Sequence, residues 1–184
     1  TPGTICDGSC ATLSVGVITG GTAPYFYNWQ PGNLTGSTAT VWPTTTTCYT
    51  LTVTDAAGCT ATSLVCVTVN PLPSIIATGG GFVCEGTNVC FGSTGGLSYS
   101  WAGPCGFTST QQNPCLNAIG ATCGGTYTVT GMDINGCSNT GTVAIAVNPL
   151  PTVTYNETQT TTCINWNPIT LTAGSPIGGT YSGT

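Results

Sequence analysis

The feature that most constrains this chain is a period. Cys6-Asp7-Gly8 recurs as Cys84-Glu85-Gly86, and Tyr49-Thr50-Leu51-Thr52 recurs as Tyr127-Thr128-Val129-Thr130. Asp55-Ala56-Ala57-Gly58-Cys59 returns as Asp133-Ile134-Asn135-Gly136-Cys137, and Asn70-Pro71-Leu72-Pro73 as Asn148-Pro149-Leu150-Pro151. Each shift is 78 residues (84 − 6). A fixed period of this kind predicts an array of like units, each one supersecondary assembly or small domain. One marker departs from it: Trp29 in Tyr27-Asn28-Trp29 answers to Trp101 in Tyr99-Ser100-Trp101, a shift of 72 (101 − 29). An offset of that sort belongs in loops, where insertions are tolerated.

The period divides the chain into units at 1–70 and 71–149, with a third beginning at 150 and cut short at 184. Both boundaries fall in Asn-Pro-Leu-Pro. Proline cannot donate to a ladder, so it ends one there and leaves a short, semi-rigid extended linker.

Inside each unit the pattern is β. Thr50 to Thr54 alternates Thr-Leu-Thr-Val-Thr, and after a turn at Ala57-Gly58 the alternation continues from Thr60 to Val69. Thr126 to Thr130 and Thr140 to Val147 flank Asn135-Gly136 in the same way, and Asn-Gly between alternating runs is a strong hairpin signal. No segment holds a helical period with caps. Several short strands, a Trp midway and a Tyr ahead of the last hairpin predict an all-β fold of tandem immunoglobulin-like sandwiches. Trp29, Trp101, Tyr49 and Tyr127 are the expected core residues.

Twelve Cys and no His stand in 184 residues. Zinc sites use close Cys pairs or mix Cys with His, and no C-x-x-C occurs here, so a disulfide framework is the expectation. Such bonds persist in oxidising compartments, which implies a secreted, extracellular or cell-surface location. Cys6–Cys59 and Cys84–Cys137 are the first pairs expected, because both span 53 residues (59 − 6 and 137 − 84). A loop of that size stabilises by about 4 kcal/mol on the chain-entropy account. Cys48–Cys66 follows from hairpin symmetry, since both lie nine residues from Ala57 and opposed strand residues approach closely. Cys90, Cys105, Cys115 and Cys123 allow three connectivities; Cys90–Cys115 with Cys105–Cys123 is preferred. Cys10 and Cys163 are left over, as unpaired thiols or as links to another chain.

The chain has no Lys and no Arg. Phosphate backbones and anionic bilayer surfaces are bound through those residues, so neither nucleic acid nor a membrane is an expected partner. No apolar run reaches the length of a membrane-spanning helix. Acid–base catalysis needs a group poised near working pH, and only five carboxylates and the thiols could supply one. Asp7 and Glu85 repeat, as do Asp55 and Asp133, which suits turn formers better than a pair of active sites. Calcium at Asp55 or Asp133 would need six to eight oxygens, and no acidic cluster provides them. No metal, no cofactor and no enzymatic activity are therefore expected. Gly79-Gly80-Gly81 has no following lysine and is not a phosphate loop. Trp42 and Trp166 do not recur and are the aromatics freest to meet a partner. Asn33-Leu34-Thr35 and Asn156-Glu157-Thr158 fit the glycosylation pattern.

Taken together, the Cys-x-Gly, Tyr-x-Trp, Tyr-Thr-x-Thr, Asp-x-x-Gly-Cys and Val-Asn-Pro-Leu-Pro motifs resemble the Ig-like/PKD-like repeats of Bacteroidota surface proteins. The resemblance implies very long secreted adhesins, gliding adhesins among them, exported by the type IX pathway. The third unit has too few strands to bury a core alone; further chain or a neighbouring subunit must complete it by strand addition. The function expected is that of a structural subunit or segment of an extracellular filament that associates with itself. The rival reading is an adhesin module that binds a glycan or surface receptor through its loops.

Overall fold

The structure is a computed structural model that describes residues 3–155 together with 174 and 175. Its regular elements are strands, plus two short 3-10 turns at Pro104–Gly106 and Ala121–Cys123. The remainder of the third unit, with Cys163, Trp166 and Asn156, lies outside the described residues.

Seven strands form the first half: β1 (Thr4–Cys6), β2 (Ala11–Ser14), β3 (Phe26–Gln30), β4 (Leu34–Thr35), β5 (Thr38–Val41), β6 (Thr47–Thr54) and β7 (Thr60–Asn70). One sheet has the order β1-β7-β6-β3-β4, and β2 pairs with β5 to form the other. β1 runs parallel to β7, with Cys6 opposite Asn70; the other pairings are antiparallel. Alternation along β6 turns Tyr49 and Leu51 inward, where they meet Trp29 and Val67. Leu13, Ala39 and Val41 face them from the second sheet. The Trp29 indole donates to the Gly36 carbonyl at 3.1 Å.

The second half repeats this plan with β8 (Ile76–Thr78), β9 (Gly81–Cys84), β10 (Val89–Cys90), β11 (Gly92–Thr94), β12 (Ser98–Ala102), β13 (Thr108–Ser109), β14 (Cys115–Leu116), β15 (Gly125–Met132) and β16 (Ser138–Asn148). Its larger sheet has the order β13-β12-β15-β16-β9, with β9 parallel to β16. The β15–β16 register, Gly125 opposite Ile145 through Met132 opposite Ser138, matches β6–β7 at the 78-residue shift. Two separate two-stranded sheets complete it, β10 with β14 and β8 with β11. Between the sheets lie Ile75, Phe91, Trp101, Ile119, Tyr127 and Val129. Rings of Phe91, Trp101, Phe107 and Tyr127 pack at centroid distances of 4.6–5.5 Å.

One feature of both halves and one of the second half are those of the immunoglobulin-like class. A Trp on a central strand is buried at 2% and 1% exposure in the two halves. The Tyr127 hydroxyl, at the start of the penultimate strand, donates to the Cys123 carbonyl at 2.8 Å, the tie-back known as a tyrosine corner. Gly79-Gly80-Gly81 carries the chain from β8 in one sheet to β9 in the other. Gly79 sits at φ +99°, and a Cβ there would collide with the Cys90 carbonyl. A short strand, β17 (Thr154–Tyr155), pairs with β18 (Gly174–Ser175).

Removing the corner hydroxyl and removing the core indole should separate in size. Tyr127→Phe should cost about 1 kcal/mol, the net worth of one hydrogen bond. Trp101→Ala should cost about 3–5 kcal/mol for the lost packing and its cavity. Guanidinium unfolding of each variant under oxidising conditions measures both.

Candidate functional site: the junction between the sandwiches

One of two like turns stands at the junction. Asp55 and Asp133 each close a hairpin of the Asp-x-x-Gly-Cys type. The Asp55 amide donates to the Cys59 carbonyl at 2.9 Å, and Asp133 bonds Cys137 likewise at 2.9 Å. Back-donation from Cys59 and Cys137 to the aspartate Oδ1 measures 2.8 and 2.9 Å. Gly58 and Gly136 take φ +83° and +80°, a left-handed position that only glycine adopts without strain. Asp55 also accepts from the Thr22 amide at 3.0 Å and the Ala57 amide at 3.0 Å, tying the β2–β3 connection to the turn. The Thr22 and Cys59 donors hold its pKa below the usual 3.8 against the opposing effect of burial, with Ala57 adding to them. Both aspartates thus serve their own turns. Among the described residues no three His, Cys, Asp or Glu side chains gather into a metal-binding group.

A second turn follows β1 in the first half and β9 in the second. The Asp7 amide donates to the Asn70 carbonyl and the Glu85 amide to that of Asn148, both at 2.9 Å. Gly8 and Gly86 are both left-handed. Cys6 and Cys84 therefore stand at the same place, beside the last residue of the last strand.

The pairings Cys6–Cys59 and Cys84–Cys137 expected from sequence are not those of the structure, which joins Cys6 to Cys137 with Cα atoms 5.5 Å apart. Cys59 and Cys84 are exposed free thiols, as is Cys10. The reason is strand direction. Because β1 is parallel to β7, Cys6 lies at the Asn70 end, whereas Cys59 precedes Thr60 at the other end. Eleven strand residues at ~3.3 Å each put about 36 Å between them, beyond any bridge. Equal spans of 53 residues reported the period rather than a contact. The linker Pro71–Pro73 instead delivers the hairpin turn of the second half to the Cys6 end of the first. There the Asn139 side-chain Nδ2 donates to the Pro73 carbonyl at 3.0 Å, and Cys137 is fully buried.

The remaining bonds are Cys48–Cys66, Cys90–Cys115 and Cys105–Cys123. The first two join directly opposed residues of β6 with β7 and of β10 with β14; the third links the two 3-10 turns. Trp29, Trp101, Tyr49 and Tyr127 are all buried, while Trp42 is 66% exposed. Asn33 is exposed in the β3–β4 turn. No helix of the described residues is long and apolar enough to cross a membrane.

No family model matches the chain, and no curated protein matches it. Among solved structures it is similar to the three N-terminal domains of the bacteriophage RB49 highly immunogenic outer capsid protein, with 22% identity and a TM-score of 0.38 over 76% of this chain. The chain spans about half the length of that structure, 54%. It is also similar to an amphioxus IgVJ-C2 molecule, at 16% identity, TM-score 0.37, and 78% and 99% of the two chains. Murine CEACAM1b is matched at 12% identity, TM-score 0.35, over 79% and 96%.

Asp55 gives the junction-type turn a pH dependence. Its pKa is lower folded than unfolded, so its contribution is complete above about 3.8 and is lost as pH falls through the folded value. Asp55→Ala should lower the melting temperature at pH 7, and the gap from the parent should narrow below pH 4. Thermal unfolding by circular dichroism from pH 7 to 2 measures it; a constant gap would remove the carboxylate from the account.

Proposed function

We propose that this chain is a structural segment or subunit of an extracellular surface filament built from tandem immunoglobulin-like domains. Its domains are 1–70 and 71–149, with a third beginning at 150. The observation that carries the reading is the Cys6–Cys137 bond, which crosses between successive sandwiches over 131 residues of sequence. A three-residue linker alone leaves two sandwiches free to swing. A covalent tie beside it, braced by Asn139 on Pro73, fixes their angle and carries tension past the linker. Stiffness of that kind serves a stalk or fibre.

The chemistry of the chain agrees. It offers no His, Lys or Arg for catalysis, and Asp55 and Asp133 are engaged by the backbone of their turns, which supports a non-enzymatic role. Disulfides at four places suit an oxidising, extracellular setting. Absence of Lys and Arg denies trypsin-like proteases a cleavage site. Export by the type IX pathway, as for the adhesin repeats it resembles, belongs to the same proposal. The rival adhesin reading has one observation in its favour: Trp42, exposed at 66%, is a ready stacking face for a sugar or receptor.

Negative-stain electron microscopy of purified, oxidised protein decides between them. Uniform filaments with an axial repeat of two or more domains are the predicted outcome. Dispersed monomers that bind a glycan array, with binding lost in Trp42→Ala, would overturn the filament in favour of the adhesin module.

A further inference from the structure

Two strands that the fold makes alike carry unlike outer faces. On β3, Phe26, Asn28 and Gln30 stand opposite Thr54, Thr52 and Thr50. On β12, Ser98, Ser100 and Ala102 stand opposite Met132, Thr130 and Thr128. Those partners are related by the 78-residue shift, so the three residues of β3 and the three of β12 are structural equivalents. Trp29 and Trp101 are buried between them, and alternation sends the other side chains out to solvent. The second sandwich builds this face from two serines and an alanine. Folding therefore does not require a phenylalanine and two amides there, and Phe26 is left 62% exposed.

The amides are held in one arrangement. Gly32 and Asn33 turn the chain from β3 into β4, with Asn33 left-handed at φ +53° and Leu34 packed against the core. Asn33 is thereby set beside Asn28 and Gln30. Gln30 Nε2 donates to Asn33 Oδ1 and, at 3.4 Å, to Asn28 Oδ1. Asn28 Nδ2 donates to Asn33 Oδ1 at 3.5 Å. A side-chain amide offers two N–H donors and two lone pairs on its oxygen. Both donors of Gln30 and both lone pairs of Asn33 are thus engaged. Gln30 Oε1 and Asn33 Nδ2 stay free among the described residues, an acceptor and a donor on one exposed patch. Thr35 stands opposite Asn28 on the other side of the hairpin. None of the five carboxylates lies on β3, β4 or β6.

We propose that this outer face of the first sandwich binds a neutral hexose glycan. The electron-rich face of the Phe26 ring takes the CH face of one sugar. Gln30 Oε1 and Asn33 Nδ2 take adjacent hydroxyls of another. A hydroxyl both donates and accepts, so a neighbouring pair satisfies the free acceptor and the free donor together. A carboxylate or sulfate only accepts and would leave Gln30 Oε1 unanswered. The net charge of −5, without a single Lys or Arg, also turns anionic glycans away. From Phe26 to Gln30, four residue steps at ~3.3 Å span about 13 Å, the reach of a short oligosaccharide. Because the amides already brace one another, less side-chain freedom is lost on binding. The site uses none of Trp42, and it does not rest on the filament reading; a filament would carry one such face per copy.

An array of neutral hexose oligosaccharides, with sialylated and sulfated ones beside them, tests this on the oxidised chain. Calorimetric titration with the neutral hexasaccharide that binds most strongly then measures the variants. Phe26→Ala and Gln30→Ala should each weaken binding about tenfold, the worth of one or two such contacts. Asn33→Asp keeps the acceptor for Gln30 but loses the free donor, and should weaken binding likewise. Trp42→Ala should leave it unchanged. All four positions are exposed, and matching melting temperatures would show that the fold is intact. Binding to no neutral glycan, or to anionic ones only, would overturn the proposal. Binding lost in Trp42→Ala but kept in Gln30→Ala would overturn it too, placing the sugar in the loops. Self-association that sedimentation shows to be lost in Gln30→Ala, without sugar binding, would give the face to a second copy and sink the proposal. Filaments seen or not seen in the microscope bear on the fibre alone.

Discussion

Everything distinctive here depends on the direction of one short strand. β1 lies parallel to β7, so its last residue reaches the end of the sandwich from which the chain departs. An antiparallel first strand would have carried Cys6 back toward its own hairpin turn and made the staple internal. Running parallel, it presents the thiol to the next sandwich, where the turn containing Cys137 arrives through a linker of three residues. β9 does the same for Cys84 at the end of β16. Each sandwich thus carries a donor thiol at its exit and an acceptor turn at its entrance.

The remaining disulfides follow a different logic from that of antibody domains, in which a bond joins the two sheets. Cys48–Cys66 joins neighbouring strands of one sheet, and Cys90–Cys115 does so in the opposite sheet. Cys105–Cys123 closes the two 3-10 turns of the second sandwich. Sheet-to-sheet cohesion falls to the core: Trp29 with Leu13 and Val41, and Trp101 with Phe91 and Tyr127. In the second sandwich that core also carries a cost, since the Trp101 indole nitrogen has no hydrogen-bond partner, whereas Trp29 has Gly36.

Much of this fold was legible because its largest elements are periodic. The β6–β7 hairpin has alternation on both arms and a turn whose glycine must be left-handed, so its register and the Cys48–Cys66 contact could be read from symmetry about Ala57. The inward Trp and Tyr were legible for the same reason. Elements of two to four residues were not, because too few positions exist to show a period. β1 and β8 are three residues each, and the two most consequential facts rest on them. The direction of β1 decides which thiols meet, and the short stretch at β8 sets Ile75 into the core of the second sandwich. Matching 53-residue spans suggested an internal pair because spacing records where residues recur, not which end of a strand they reach.

The most direct test of this account is the partner of Cys6. Lacking Lys and Arg, the oxidised chain must be cut with pepsin rather than trypsin, with free thiols first blocked at low pH. Mass spectrometry of the unreduced digest should find the Cys6 peptide joined to that of Cys137, with Cys59 and Cys84 carrying the blocking group in monomeric protein. Cys6 joined to Cys59 would place the staple inside one sandwich and contradict the covalent junction on which the rest is built.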